Sequence, residues 1–204
     1  MKRSHMKRSD MKPPHIKQGY KAPPEAIDLA RAERKIRNAA TLSLLLFVVA
    51  VGLAYLLLTH LVTFPVTLAE RLAFAARASA VVLFCVIVAV GMVSTIRKRS
   101  PEDIGGAAAG PPSERLAIAA AFLQNTLEQA VVAVGFYFAF VTLATGAWLA
   151  AIPVSVAFFV VGRILYLRGY PQGAEGRAFG MTLTMMPVIL GYPAVFILMV
   201  VSWV

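Results

Sequence analysis

Five long apolar blocks dominate the sequence and limit what the chain can fold into. They cover approximately residues 39–62, 72–96, 116–142, 147–167 and 178–204. About 20 apolar residues in a helix, rising 1.5 Å each, cross a hydrocarbon core of about 30 Å. Hydrophobic residues make up 59% of the chain and charged residues only 15%, which leaves no room for a separate soluble domain. We therefore predict an all-α, multi-pass membrane helix bundle with five transmembrane helices.

The chain divides into three parts by composition. Residues 1–38 form a basic N-terminal segment, which we expect to be cytoplasmic and disordered at first because it is polar and marked by prolines. Within it, 25–38 carries acidic residues early and basic residues late, as a helix dipole prefers, and predicts a helix on the membrane surface. We interpret 39–62 as an extra transmembrane helix and 72–204 as a four-helix membrane core.

The distribution of the basic residues that give the net charge of +10 is explained by the topology of the predicted spans and not by a nucleic-acid site. Eleven of the 20 lysines and arginines precede residue 39, and most of the others lie at the ends of apolar blocks. With the N-terminus in the cytoplasm, 18 basic residues fall inside and only Arg71 and Arg77 outside, as the positive-inside rule requires. We expect contacts with anionic membrane lipids, a cytoplasmic N-terminus, a C-terminus outside, and no nucleic-acid partner.

Cysteine and histidine usage argues against a metal site. Cys85 is the only cysteine, so a disulfide within one chain is excluded. The histidines, His5, His15 and His60, are too far apart in the sequence to predict a metal centre. We therefore predict no metal ligands.

The third apolar block carries three polar side chains at membrane depth. Asn125 and Glu128 are three residues apart and share a helix face, and Gln124 lies one turn before Glu128. Placing a carboxylate inside a membrane helix costs about 2.5–3.5 kcal/mol on translocon scales. Such a residue is usually retained because it faces a partner or a cavity, so these three are candidate site residues.

The fourth block carries a second polar group on one face. Arg163, Tyr166 and Tyr170 have the spacing i, i+3, i+7, and Arg177 follows just beyond the block. Because only a few residues link the third and fourth blocks, their helices should be antiparallel neighbours with both polar groups at similar depth. One interpretation is a polar ligand site. The other is an ion pair between Glu128 and Arg163 that locks helix packing, with Asn125 and Gln124 forming interhelical hydrogen bonds and the tyrosines lying at the membrane interface.

At these residues the sequence resembles the MAPEG family, the membrane-associated proteins in eicosanoid and glutathione metabolism. Asn125-Thr-Leu-Glu128 resembles the family's Asn-x-x-Glu motif. The spacing Arg163-x2-Tyr166-x3-Tyr170-x6-Arg177 resembles the leukotriene C4 synthase branch. The resemblance covers roughly 78–204, so the first span and the basic N-terminal segment have no counterpart in it.

The resemblance implies a homotrimer that binds glutathione between neighbouring subunits near the cytoplasmic face. It implies that Asn125, Glu128, Arg163, Tyr166 and Tyr170 hold glutathione. Arg177 would then be the catalytic residue, because a guanidinium beside the sulfur lowers the pKa of the thiol.

One position departs from the family pattern. Members that produce eicosanoids commonly have an arginine one turn before the asparagine, where this chain has Ala121. Gln124, Arg97 and Arg99 are further candidates for contacts with glutathione, and either arginine could replace the missing cation.

The leading functional interpretation is a glutathione-dependent transferase or peroxidase acting on hydrophobic electrophiles dissolved in the bilayer. A second is a non-catalytic lipid-binding or scaffold protein of the same fold. A third is a small transporter or channel subunit, although the sequence contains no inverted repeat to favour it.

Overall fold

The computed structural model of the protein describes residues 29–106 and 110–203, and every regular element in those ranges is helical, as predicted. The helices are α1 (Leu29–Leu61), α2 (Leu68–Arg99), α3 (Glu114–Leu143), α4 (Ala151–Gly169) and α5 (Gly173–Trp203). Two short 3-10 helices, Gly146–Ala150 and Tyr170–Gln172, precede and follow α4.

Four helical stretches in the described ranges are long and apolar enough to cross a membrane, which supports a multi-pass membrane protein. The predicted count of five spans is not matched. The reason is that the 3-10 helix Tyr170–Gln172 follows α4 directly and α5 follows it directly, so no non-helical residue separates the last two predicted blocks. They therefore count as one helical stretch of 57 residues, Gly146–Ser202.

The first helix begins earlier than the first apolar block. α1 starts at Leu29 and continues without interruption to Leu61, so the charged residues 29–38 and the predicted first span belong to one helix. The disorder predicted for residues 1–24 and the first four residues of the predicted surface helix, 25–28, lie outside the described residues.

The ends of α2 and α3 are fixed by local capping interactions. Thr67 and Glu70 form a capping box: the Thr67 hydroxyl accepts from the Glu70 amide at 3.2 Å, and the Glu70 carboxylate accepts from the Thr67 amide at 3.0 Å. Ser113 caps α3 by accepting from the Leu116 amide at 3.2 Å. These caps fix where the α1–α2 and α2–α3 connections stop and the helices begin.

Asp103 folds the α2–α3 connection back onto the start of α3. Its carboxylate accepts from the Ser113 amide at 2.8 Å and from the Ser113 hydroxyl at 2.7 Å. The Ser113 amide, and then its hydroxyl, hold the pKa of the Asp103 carboxyl below its usual value because both bonds favour the charged form.

Glycines let α4 and α5 pack almost backbone to backbone. A Cβ at Gly162 would lie 2.9 Å from the Gly180 carbonyl oxygen, and one at Gly180 would lie 2.7 Å from the Gly162 carbonyl oxygen and beside the backbone of Tyr166. Gly169 likewise faces Gly176. Since the facing residue numbers decrease on α5 as they increase on α4, the two helices are antiparallel neighbours.

The helix α1 packs against α5, α4 and the 3-10 helix before α4. Ser43, which is fully buried, lies 2.9 Å from the Thr182 hydroxyl on α5. The Phe47 ring meets Phe158 on α4 edge to face at 5.3 Å between centroids. The N-terminal helix is therefore packed against the α4–α5 hairpin through Ser43 and Phe47.

The Asp103–Ser113 contact makes stability depend on pH. The folded pKa of Asp103 is depressed, so its contribution is complete above the unfolded value of about 3.9 and is lost as the pH falls through the folded value. We expect Asp103→Asn to lower the melting temperature of the detergent-solubilised protein at pH 7, with the difference shrinking in acid. Glu102→Gln, at an exposed neighbour, is the control. A difference unchanged at about pH 2 would contradict this prediction.

The α4–α5 contact predicts a specific sensitivity to added methyl groups. Gly180→Ala should destabilise the protein by about 1–3 kcal/mol, because the new Cβ meets backbone atoms of α4 and the helices must separate. Gly91→Ala on α2 is the matched control: no atom lies within 4 Å of its Cβ, so it should be neutral or slightly stabilising. Thermal unfolding in detergent measures both, and equal melting temperatures for the two variants would contradict the prediction.

Candidate functional site

Arg163 lies at the centre of the polar cluster and contacts three helices. It is on α4 and only 2% exposed. Its Nη1 donates to the Asn125 side-chain oxygen on α3 at 2.6 Å, and its Nε donates to the Thr184 hydroxyl on α5 at 3.2 Å. One side chain therefore joins the two polar segments identified in the sequence and adds a third helix to them.

The guanidinium of Arg163 is buried without a counter-ion in the described part of the chain. Its Nη2 is buried and has no hydrogen-bond partner there. Of the predicted packing alternative, the ion pair between Arg163 and Glu128 does not form, whereas the interhelical hydrogen bond of Asn125 does. Burying a cation without a paired anion costs several kcal/mol. An anionic group from outside the chain, placed beside Arg163, would reduce this cost.

A row of stacked side chains leads from Arg163 to Arg177. The Arg163 guanidinium carbon lies 4.8 Å from the centroid of the Tyr166 ring, which is 6% exposed. Tyr166 meets Tyr170 edge to face at 5.7 Å, and the Arg177 guanidinium carbon lies 4.7 Å from the Tyr170 ring. Cations over aromatic faces are attracted by the ring quadrupole, so the two arginines bracket the tyrosines.

Phe122 and Thr184 also belong to this cluster, although neither was predicted from the sequence. The Phe122 ring stacks on Tyr166 at 6.2 Å between centroids. Thr184 is 2% exposed and, besides accepting from Arg163, donates to the Gly180 carbonyl at 2.9 Å. A buried hydroxyl in a largely apolar helix is a weak signal, because threonine commonly bonds its own helix backbone in this way.

Gln124 and Glu128 form a second polar pair on α3. The Gln124 amide donates to the Glu128 carboxylate at 2.8 Å, as their one-turn spacing allows, and both side chains are exposed on the surface of this chain. An exposed carboxylate at membrane depth is costly in contact with lipid. Covering this face of α3 with a ligand or another subunit, and so removing Glu128 from lipid, would therefore be energetically favourable.

The two cations proposed to replace the missing arginine line crevices in the α2–α3 connection. Arg97 and Arg99 are exposed on the last turn of α2, and each lines a crevice beside Asp103 in the α2–α3 connection. Ala121 is half-buried on α3 and adds no charge. Within the described residues, the cluster thus contains Arg163 and Arg177 as its cations.

A family model supports the sequence resemblance. The MAPEG family model matches residues 72–197, which is more than half of the chain and includes most of α2 through α5. The chain belongs to the MAPEG family. Comparison with curated proteins and with solved structures gave no match.

Membership in the MAPEG family implies a membrane protein with a glutathione-related transferase or eicosanoid-type function. The polar cluster of Asn125, Arg163, Tyr166, Tyr170 and Arg177 lies entirely within the matched region. The helix α1 lies outside it, so this MAPEG protein has an additional helix packed against its family core.

Proposed function

We propose that the protein is an integral membrane glutathione transferase, which joins glutathione to hydrophobic electrophiles at the cytoplasmic side of the bilayer, or a glutathione-dependent peroxidase of the same type. The contact between Arg163 and Asn125 carries this proposal, because it joins the two family motifs into one cluster around a buried cation. Ala121, in place of the usual arginine, favours a second candidate, a non-catalytic lipid-binding or scaffold protein of the same fold.

The charges of the cluster suit the charges of glutathione. Glutathione carries two carboxylates and one ammonium. The unpartnered Nη2 of Arg163 would donate to one carboxylate, and the exposed Glu128 would accept from the ammonium. Tyr166 and Tyr170 would line the site, and Asn125 would keep the Arg163 guanidinium oriented. Gln124 would in turn orient Glu128.

Arg177 is the residue we propose to act on the sulfur. A thiol with a pKa of about 8.5 is mostly protonated at pH 7, and an adjacent guanidinium lowers that pKa by stabilising the thiolate. The thiol gives its proton to water, and the sulfur then forms a bond to the electrophilic carbon. The electron pair of the bond that breaks leaves with the displaced group, or stays on the oxygen of an opened ring.

We propose that neighbouring subunits in the membrane contribute to the glutathione site. Glu128 and Gln124 are exposed on one chain, and a homotrimer would cover them and supply further contacts to glutathione. We propose that α4 and α5 cross the bilayer as separate antiparallel spans, which gives five in all. The N-terminus is then cytoplasmic and the C-terminus outside, in agreement with the distribution of basic residues.

Glutathione binding should depend on Arg163. We expect isothermal titration of the purified protein in detergent to detect glutathione binding, and Arg163→Ala to weaken it at least tenfold, about 1.4 kcal/mol, because a charge-assisted hydrogen bond is lost. Arg77→Ala, which removes an exposed arginine on α2, is the matched control and should bind normally. If the native protein bound no glutathione, the non-catalytic candidate would replace the enzyme.

Thiolate formation should depend on Arg177. We expect the ultraviolet difference spectrum of bound glutathione to show the thiolate at neutral pH, and Arg177→Ala to remove that signal while retaining part of the binding. The pH at which the thiolate appears should rise toward that of free glutathione. Arg115→Ala, at an exposed residue of α3, serves as the control. An Arg177→Ala protein with an unchanged spectrum and turnover would refute the assignment.

A further inference from the structure

An apolar groove runs between the additional helix and the family core. It has a volume of about 440 Å³, which lies within the range of roughly 300–1,000 Å³ of ligand pockets. All the side chains that line it in the described part of the chain are apolar. Its wall on α1 includes Leu46 and Leu53, its wall on α4 includes Ala157, Val161 and Leu165, and Phe179 closes it on α5.

The helix faces that line the groove carry charged residues beyond one end of the groove. Lys35 lies eleven residues before Leu46 and is therefore about 20° from it around α1. Arg168, seven residues after Val161, is about 20° from it around α4 and is exposed. On α5, Glu175 precedes Phe179 by four residues, about 6 Å along the helix. The faces that are apolar at membrane depth thus become charged at the same end of the bundle.

Among the residues that the structure describes, the charge at this end is predominantly positive. Glu175 forms ion pairs with both Lys35 and Arg31, so one carboxylate is shared by two cations, and Arg168 adds a third cation on the neighbouring helix face. These side chains are long enough to reach along the surface to an anionic group at the membrane interface. Apolar walls that end in cations fit an amphiphile with a long chain and a negative headgroup.

We propose that the groove binds one anionic glycerophospholipid, with an acyl chain between α1 and the α4–α5 hairpin and the phosphate beside Arg168. A guanidinium matches a phosphate well in charge and in hydrogen-bond geometry. The lipid fills apolar volume that the protein leaves open next to the Phe47–Phe158 contact. It thereby attaches the additional helix to the part of the chain that carries the polar cluster.

The groove does not fit the co-substrate of the proposed transferase. Among the described residues, its lining contains no polar side chain that could orient a reacting group. Phe179 and Arg177 are two residues apart on α5 and so point about 160° away from each other, which places the groove and the sulfur-activating arginine on different faces. The proposed lipid site is therefore independent of the proposed glutathione chemistry.

Native mass spectrometry of the full chain in detergent tests the proposal, with phosphatidylglycerol and phosphatidylcholine of identical acyl chains as probes. We expect one phosphatidylglycerol per chain to be retained, with about tenfold preference over phosphatidylcholine. Arg168→Gln should reduce that preference several-fold. Ala157→Phe, which fills the groove from α4, and Val49→Trp, which fills it from the exposed side of α1, should each abolish retention.

The controls separate loss of the lipid from loss of the fold. Ala80→Phe adds the same ring at an exposed position on α2, away from the groove, and should retain the lipid. Thermal unfolding gives a second measurement: added phosphatidylglycerol should raise the melting temperature of the native chain and of Ala80→Phe, but not of the groove-filling variants. Equal retention of the two lipids by the native chain, or undiminished retention by both groove-filling variants, would overturn the proposal whether or not glutathione binds.

Discussion

The structure of the candidate site depends on one buried cation. Arg163 is held between Asn125 on α3 and Thr184 on α5, and it also lies against the Tyr166 ring on its own helix. A guanidinium with no anion beside it is unfavourable at membrane depth, so the surrounding contacts must fix its position closely. The Arg163 Nη2 has no hydrogen-bond partner in the described part of the chain, and it is the group that would donate to the proposed anionic ligand.

The close approach of α4 and α5 makes that arrangement possible. Glycines at 162 and 180 remove the side chains that would otherwise separate the helices, and the Arg163 Nε can then reach Thr184 across the contact. In a membrane, where lipid tails are as apolar as leucine, small residues and interhelical hydrogen bonds stabilise helix pairs better than apolar burial does. The close packing of α4 against α5 and the hydrogen bond between Arg163 and Thr184 therefore depend on the same helix contact.

The additional helix α1 extends the family core without entering the polar cluster. It contacts α5 through Ser43 and Thr182 and α4 through Phe47 and Phe158, on faces other than those that carry Arg163 and Arg177. Its ion pairs with Glu175 nevertheless reach the first turn of α5, two residues before Arg177. We infer that α1 and its proposed lipid support the hairpin from outside, while the hairpin positions the groups that would meet glutathione.

The sequence by itself determined the all-helical membrane class, the family, and the two segments that supply the polar cluster. Apolar block length and short-range helical spacing, as for Asn125 with Glu128 or Arg163 with Tyr166, are local properties that can be read along the chain. Only the tertiary structure decided that Arg163 pairs with Asn125 rather than Glu128, that Thr184 and Phe122 join the cluster, and that Arg97 and Arg99 line crevices beside Asp103. Those outcomes depend on the rotation of each helix about its axis and on its distance from its neighbours, which helix packing determines and residue spacing does not.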